Sequence, residues 1–176
     1  MTTVPFKFTI ADQEFEAIIS KEDYDIIQTI LKNDEPKKKT GYERANAGEQ
    51  YYYDFGDGSL ELDMEKGHAV DDRCYRSANY YTSEEVAKNN ARADKLMRQL
   101  RRFAVERRSD TVDWNSPKLK HFMYYDYDDG VLNVSDCYVS RHPGQIYFDT
   151  RENAYLAIET FHDELIWYFT EYKDSM

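Results

Sequence analysis

Gln50-Tyr51-Tyr52-Tyr53-Asp54-Phe55-Gly56-Asp57-Gly58-Ser59-Leu60-Glu61-Leu62 returns, in chemistry rather than letter by letter, as Phe122-Met123-Tyr124-Tyr125-Asp126-Tyr127-Asp128-Asp129-Gly130-Val131-Leu132-Asn133-Val134, 72 residues further on. Each copy is an aromatic run, an acidic glycine turn whose residues reach positive φ cheaply, and an alternating strand, which together predict a β-hairpin. The likeness resumes after a variable loop. Tyr80-Tyr81-Thr82-Ser83-Glu84-Glu85-Val86-Ala87 matches Tyr147-Phe148-Asp149-Thr150-Arg151-Glu152-Asn153-Ala154 at an offset of 67. Thr82 with Glu85, and Asp149 with Glu152, have the spacing of a capping box. The repeated unit therefore reads as strand, strand, a short third strand, then helix.

In the first of these helices Val86, Ala93, Met97, Leu100 and Ala104 share a face, widened by Leu96 and Phe103, and are expected to pack on the sheet. In the second, Ala154, Ile158, Phe161, Leu165 and Tyr168 do the same. Ile166, Trp167, Phe169 and Tyr172 leave its last turns apolar nearly all round, suited to closing the core or to a symmetric dimer, so monomer and homodimer both stand.

The first residues repeat the order β, β, α on a smaller scale. Phe6–Ile10 and Glu14–Ile19 flank an Ala11-Asp12-Gln13 turn, and Ser20 caps a helix running through Ile30. The expected division is an N-terminal ββα segment over 1–35, a linker over 36–48, a first ββ(β)α module over 49–108, a link over 109–118 and a second ββ(β)α module over 119–176. The fold class is α+β, with mostly antiparallel hairpins each followed by a helix.

Composition narrows what such a chain does. It has 176 residues, a formal charge of -11, 41% hydrophobic and 32% charged residues. That is enough chain to bury a core, and too little for a multidomain machine. No stretch has the length and apolarity of a membrane span, and the opening Met1-Thr2-Thr3-Val4-Pro5 lacks the basic start and apolar run of a secretory signal. Cys74 and Cys137 form no CxxC and read as free thiols, so a cytoplasmic location is expected.

Charge is unevenly spread. Between Lys88 and Arg108 eight basic residues face Asp94 and Glu106, a local balance of +6 in an otherwise acidic chain. Lys88, Arg92, Lys95, Arg98, Arg101 and Arg102 make a basic helix that suits RNA or an acidic partner, or neutralises acidic neighbours in the same molecule. Acid gathers on the hairpins. Glu61, Asp63 and Glu65 alternate with Leu60, Leu62 and Met64, giving a column of carboxylates about 7 Å apart, near the spacing of successive phosphates. With Asp54, Asp57, Asp126, Asp128 and Asp129 at the turns, the expectation is an acidic partner-binding surface that imitates nucleic acid. The 16 tyrosines, among them Tyr52, Tyr53, Tyr125 and Tyr127 beside these acids, supply rigid amphipathic contact area.

No motif anchors a catalytic reading. GxSxG, P-loop, GxGxxG and HExxH are absent. The Asp126-Tyr127-Asp128-Asp129-Gly130 stretch lacks the third ligand and closing glutamate of a helix-loop-helix calcium site, and His68, His121, His142 and His162 have no zinc-like spacing to a cysteine. Neither a catalytic residue nor a metal or other cofactor is expected.

The Gly48-Glu49-Gln50-Tyr51-Tyr52-Tyr53 start of the hairpin, the Ala78–Ala87 lead into a helix and the second lead at Gln145-Ile146-Tyr147-Phe148-Asp149-Thr150 resemble small acidic proteins carried by phages and mobile elements of Firmicutes. The resemblance covers about residues 48–172. Some members of that group are, or resemble, anti-CRISPR inhibitors of the type II RNA-guided DNA nuclease, and the motif carries over no catalytic residue. It implies a phage-encoded anti-defence protein in the host bacterial cytoplasm, binding a CRISPR effector nuclease or its guide RNA complex stoichiometrically and blocking target DNA binding or cleavage. Two other readings are a non-inhibitory phage accessory protein that binds nucleic acid through the basic helix, and a small metal-dependent nuclease.

Overall fold

A computed structural model describes residues 2–10, 12–34, 39–109 and 112–172. The chain divides into two compact units, 1–39 and 40–176. The fold is mixed α+β, and every sheet is an antiparallel pair of strands.

In the first unit β1 (Thr3–Ile10) pairs with β2 (Gln13–Ser20) in the register Phe6↔Ala17, Phe8↔Phe15. The turn is reached through Asp12 at φ +64, while Ala11 lies outside the described residues. The helix α1 (Lys21–Asp34) follows at once, because the Ser20 hydroxyl accepts the Asp23 N–H at 3.0 Å and caps its first turn. Phe6 meets Tyr24 of α1 edge-on, and Phe8 stacks on Phe15. Taken by itself, the unit has no described side chain that is buried.

The second unit contains every buried apolar residue of the described chain. Its elements are β3 (Gln50–Asp54), β4 (Leu60–Met64), α2 (Ala69–Arg76), α3 (Glu84–Arg107), β5 (Lys120–Asp126), β6 (Val131–Cys137), α4 (Arg151–Thr160) and α5 (His162–Thr170). Each hairpin gains a third strand reduced to one antiparallel bridge, Tyr52↔Tyr81 in the first and His121↔Phe148 in the second. The helix caps lie one residue later than the spacing predicted. Ser83 accepts the Val86 N–H and Thr150 accepts the Asn153 N–H, whereas Thr82 turns to Glu43 and Asp149 accepts from Ser109 and the Asn153 amide. Ser83 and Thr150 keep the offset of 67, so the displacement is common to both copies.

The hairpins are related differently. The bridged residues Tyr52 and His121 are 69 apart, but the turn glycines Gly58 and Gly130 are 72 apart. The second hairpin is three residues longer between bridge and turn. An odd shift exchanges the faces of a strand, so Tyr52 and Tyr124, aligned in sequence, lie on opposite faces.

The main core gathers Leu96, Leu100 and Phe103 from α3, Met123 and Val134 from the second hairpin, Ile146 and Phe148, Ala154 and Ala157 from α4, and Leu165 from α5. The apolar face of α3 thus serves the second hairpin as much as its own, and the two expected modules share a core. A smaller core holds Ala45, Tyr51, Cys74 and Tyr80. Three further expectations are corrected. The loop after β4 contains α2, whose Asp71 accepts the His68 N–H at 2.8 Å. The second helix is two helices, broken at Phe161 (φ -116, ψ 23), where the Thr160 hydroxyl bonds back to the Leu156 carbonyl. In the expected linker, residues 36–38 lie outside the described residues, but Gly41–Ala45 are packed in place. Gly41 accepts from Thr82, the Tyr42 hydroxyl accepts from Asn90, and Ala45 is buried. In the link 109–118, residues 110 and 111 lie outside the described residues.

Candidate functional site

The acidic column on β4 is not presented to solvent as a whole. In the register Tyr51↔Asp63, Tyr53↔Glu61, its three carboxylates share the face of Tyr51 and Tyr53, and Tyr51 packs there against Cys74 of α2. That face is progressively covered: Glu61 is exposed, Asp63 half-buried and Glu65 buried at 4% exposure. Leu62 and Met64, on the other face, stay 48% and 41% exposed. Glu65 is a structural anchor, not a partner-binding residue. Its carboxylate accepts both forks of Arg44 at 3.0 and 3.1 Å, the Tyr80 hydroxyl at 2.9 Å and the Gly67 N–H at 2.8 Å. Arg44 foremost, with these donors, holds the Glu65 carboxyl below the usual glutamate range.

Several turn acids are also committed inward. Asp54, its side chain 9% exposed, accepts the Gly56 and Gly58 N–H groups and lies 3.5 Å from Arg98. Asp126 accepts the Asp128 and Asp129 N–H groups, an Asx turn that closes the second hairpin. Asp57 accepts from the Ser59 hydroxyl and N–H, which depress its carboxyl, yet it remains exposed. Glu61, Asp128 and Asp129 are exposed and make no ion pair among the described residues.

The tyrosines divide likewise. Tyr52 is held by its backbone bridge to Tyr81, and Tyr53 packs on the smaller core, where burial first and then Glu61 and Asp63 raise its hydroxyl above the ordinary value. Tyr125 stacks on Phe169 and is half-buried. Tyr127 is 72% exposed at the tip, edge-on to Tyr125, and its hydroxyl donates to the Phe169 carbonyl at 2.6 Å, so the ring is fixed although it faces outward.

The basic helix is largely answered from within the chain. Lys88 pairs with Glu84 at 2.6 Å, Arg98 with Asp54, and Arg102 with Glu106 at 3.8 Å. Arg92 makes a two-pronged pair with Glu164 of α5 at 2.8 and 3.1 Å, its guanidinium 3.9 Å above the Trp167 ring. Lys95 lies along the first turn, where a Cβ on Gly58 would come within 3.0 Å of its Cδ, and its charge helps to depress Asp57. Neither Lys95 nor Arg101 has an ion-pair partner among the described residues.

Sequence reasoning missed the cluster that surrounds Glu65. Arg44 also reaches Asp72 at 2.7 Å, Tyr51 donates to Asp71 at 2.9 Å, and the Tyr51 and Tyr80 rings stack at 4.0 Å. The His68–Asp71 spacing, three apart as in a capping box, is the signal that marks α2 and its buried aspartate. Among the described residues no group of three His, Cys, Asp or Glu side chains is arranged to hold a metal ion, and no helix is long and apolar enough to cross a membrane. Comparison with known protein families, curated proteins and solved structures finds no match to the chain.

Proposed function

We propose that this chain is a stoichiometric binding protein that inhibits a type II RNA-guided DNA nuclease by presenting acidic, tyrosine-flanked hairpin turns to the basic groove that normally holds target DNA. The reading is supported by an asymmetry in how charge is used. Lys88, Arg92, Arg98 and Arg102 of α3 are spent on carboxylates of the same chain, whereas Glu61, Asp128 and Asp129 stand exposed without an ion-pair partner among the described residues. A nucleic-acid contact through these four cations would first have to break their internal pairs. An acidic contact through the hairpin tips breaks none.

The tips have the order that a binding surface needs. Asp54 and Asp126 lock the turns from inside, so the outward carboxylates and Tyr127 are presented on fixed backbone, and little entropy is lost on docking. Charge complementarity then governs encounter rate and salt dependence more than raw affinity.

The test is cleavage of target DNA by single-subunit CRISPR nucleases, loaded with guide RNA, across a titration of the protein. Inhibition is expected to be complete near one equivalent and to weaken as salt rises. The combined reversal Glu61→Lys, Asp128→Lys and Asp129→Lys is expected to abolish it while leaving thermal unfolding unchanged. Retained inhibition by that variant would sink the surface, and absence of binding to any such nuclease would sink the function.

A further inference from the structure

We infer that the second unit carries a nucleotide-binding hollow between α3 and the 140–146 loop, taking the phosphate of a nucleoside monophosphate on Arg101 and Arg141 and its base in the adjoining apolar recess. Two depressions share the wall Pro143-Gly144-Gln145. One, of about 400 Å³, is lined by Arg101, Arg141 and His142. The other, of about 230 Å³, is lined by Met97, Leu100, Met123 and Ile146, with the rings of Tyr168 and Phe169. Met97 and Arg101 are four residues apart on α3 and so lie one above the other on one face, which sets the apolar recess and the cationic mouth in series along the helix.

The charge of this place is anomalous for the chain. Among the described residues no acidic side chain lines either depression. Lys88, Arg92, Arg98 and Arg102 on the same helix each have a carboxylate, while Arg101 and Arg141 have none among the described residues. Two exposed guanidiniums beside an imidazole, with no internal counter-charge, suit a phosphate, which arginine recognises by paired N–H donors. A flat ring system suits the recess beyond, since apolar and aromatic walls with a few polar groups at the rim describe small-molecule sites, and bases stack on such rings.

The loop that forms the outer wall is built. The Tyr147 hydroxyl accepts the His142 N–H at 2.9 Å and donates to the Ser140 carbonyl at 3.4 Å. The Gln145 side-chain amide donates to the Met123 carbonyl at 3.2 Å. The Tyr147 ring meets Trp114 edge-on at 4.8 Å, and Arg141 lies 5.8 Å from the same indole. Trp114 is therefore a natural reporter of what happens at Arg141.

Titration of the whole chain with AMP, adenosine and inorganic phosphate, followed by calorimetry and tryptophan fluorescence, tests the assignment independently of any nuclease. AMP is expected to bind saturably, at least about tenfold more tightly than adenosine or phosphate alone. Arg101→Ala and Arg141→Ala, both at exposed positions, are each expected to weaken AMP by about tenfold and to leave adenosine unchanged. No saturable binding at millimolar AMP, phosphate binding as tightly as AMP, or full AMP affinity in both variants would each overturn the proposal. A mononucleotide and the 5′-phosphorylated end of a strand offer the same chemistry. Competition with AMP by a 5′-phosphorylated oligoadenylate, but not by its 5′-hydroxyl form, supports a strand end as the ligand. AMP binding without such competition supports the free nucleotide.

Discussion

Tyr51 and Tyr80 lie face to face, and each donates its hydroxyl to a different buried carboxylate, Asp71 and Glu65. The Lys66 and His68 N–H groups, ahead of Tyr51, hold the Asp71 carboxyl down at about 2, against an ordinary 3.8. Burial, followed by the bond to Glu65, pushes the Tyr80 hydroxyl up to about 12 from 10.0. Both shifts make stability depend on pH. A depressed carboxyl stabilises the fold above its unfolded value and loses that contribution as pH falls through the folded one, so the acid loss belongs between pH 3.8 and about 2. A raised tyrosine works the other way, its contribution intact below pH 10.0 and lost as pH rises towards about 12. Melting temperatures measured by circular dichroism are expected to fall in both windows. Tyr51→Phe removes one donor from Asp71 and is expected to cost about 2 kcal/mol at neutral pH. It also narrows the acid window from below, because with one donor fewer the folded Asp71 carboxyl is less depressed and the loss is complete at a higher pH; an unmoved lower end would show that the hydroxyl contributes nothing to that carboxylate.

At the level of elements, Ser83 and Thr150 start α3 and α4 in the same way, each accepting one of the first unpaired N–H groups. Ser83→Ala and Thr150→Ala are each expected to lower unfolding free energy by about 1 kcal/mol in urea titrations. Two glycines before β3 form a second, internally controlled pair. Gly41 and Gly48 have nearly the same backbone, φ +91 and +87, but a Cβ on Gly41 would sit 2.9 Å from Val86 Cγ2 and 3.0 Å from Ser83 Cβ, while on Gly48 it would meet nothing. Gly41→Ala should therefore lower the melting temperature clearly more than Gly48→Ala, and equal effects would show that α3 shifts freely. The hairpins and helices were legible because their punctuation is local: glycines at positive φ, hydroxyls before an acidic first turn. Strand facing was not. In a run such as Tyr51-Tyr52-Tyr53 both faces carry the same side chain, so alternation says nothing about which is inside, and the acids of β4 follow whichever face α2 covers. Glu65 was thus readable as an acid but not as a buried one, because its partner Arg44 is 21 residues away in a stretch that reads as linker. Arg101 and Arg141 were brought together by packing alone, 40 residues apart in sequence.

At the scale of the whole molecule, the two units differ in what holds them. The second contains Leu96, Leu100, Phe148 and Leu165, each 1% exposed, whereas the first, taken by itself, leaves Phe15 at 43%, Ile26 and Ile30 at 54% and Ile18 at 78%. A two-stranded hairpin with one helix buries too little apolar surface to offset the entropy of ordering its chain, so its opening free energy lies far below that of a unit with a continuous core. Native-state hydrogen exchange reads the difference directly. Amides of β1, β2 and α1 are expected to exchange through openings of low free energy, while those of α3, β5 and α4 approach the global value. Phe148→Ala sharpens the comparison. Deleting a ring at 1% exposure should cost about 4 kcal/mol in the second unit. If the units open independently, protection in α3, β5 and α4 falls by that amount, and protection in β1, β2 and α1 stays where it was. An equal fall in both would mean that the chain unfolds as one cooperative system, with the N-terminal hairpin and helix drawing stability from outside their own 39 residues.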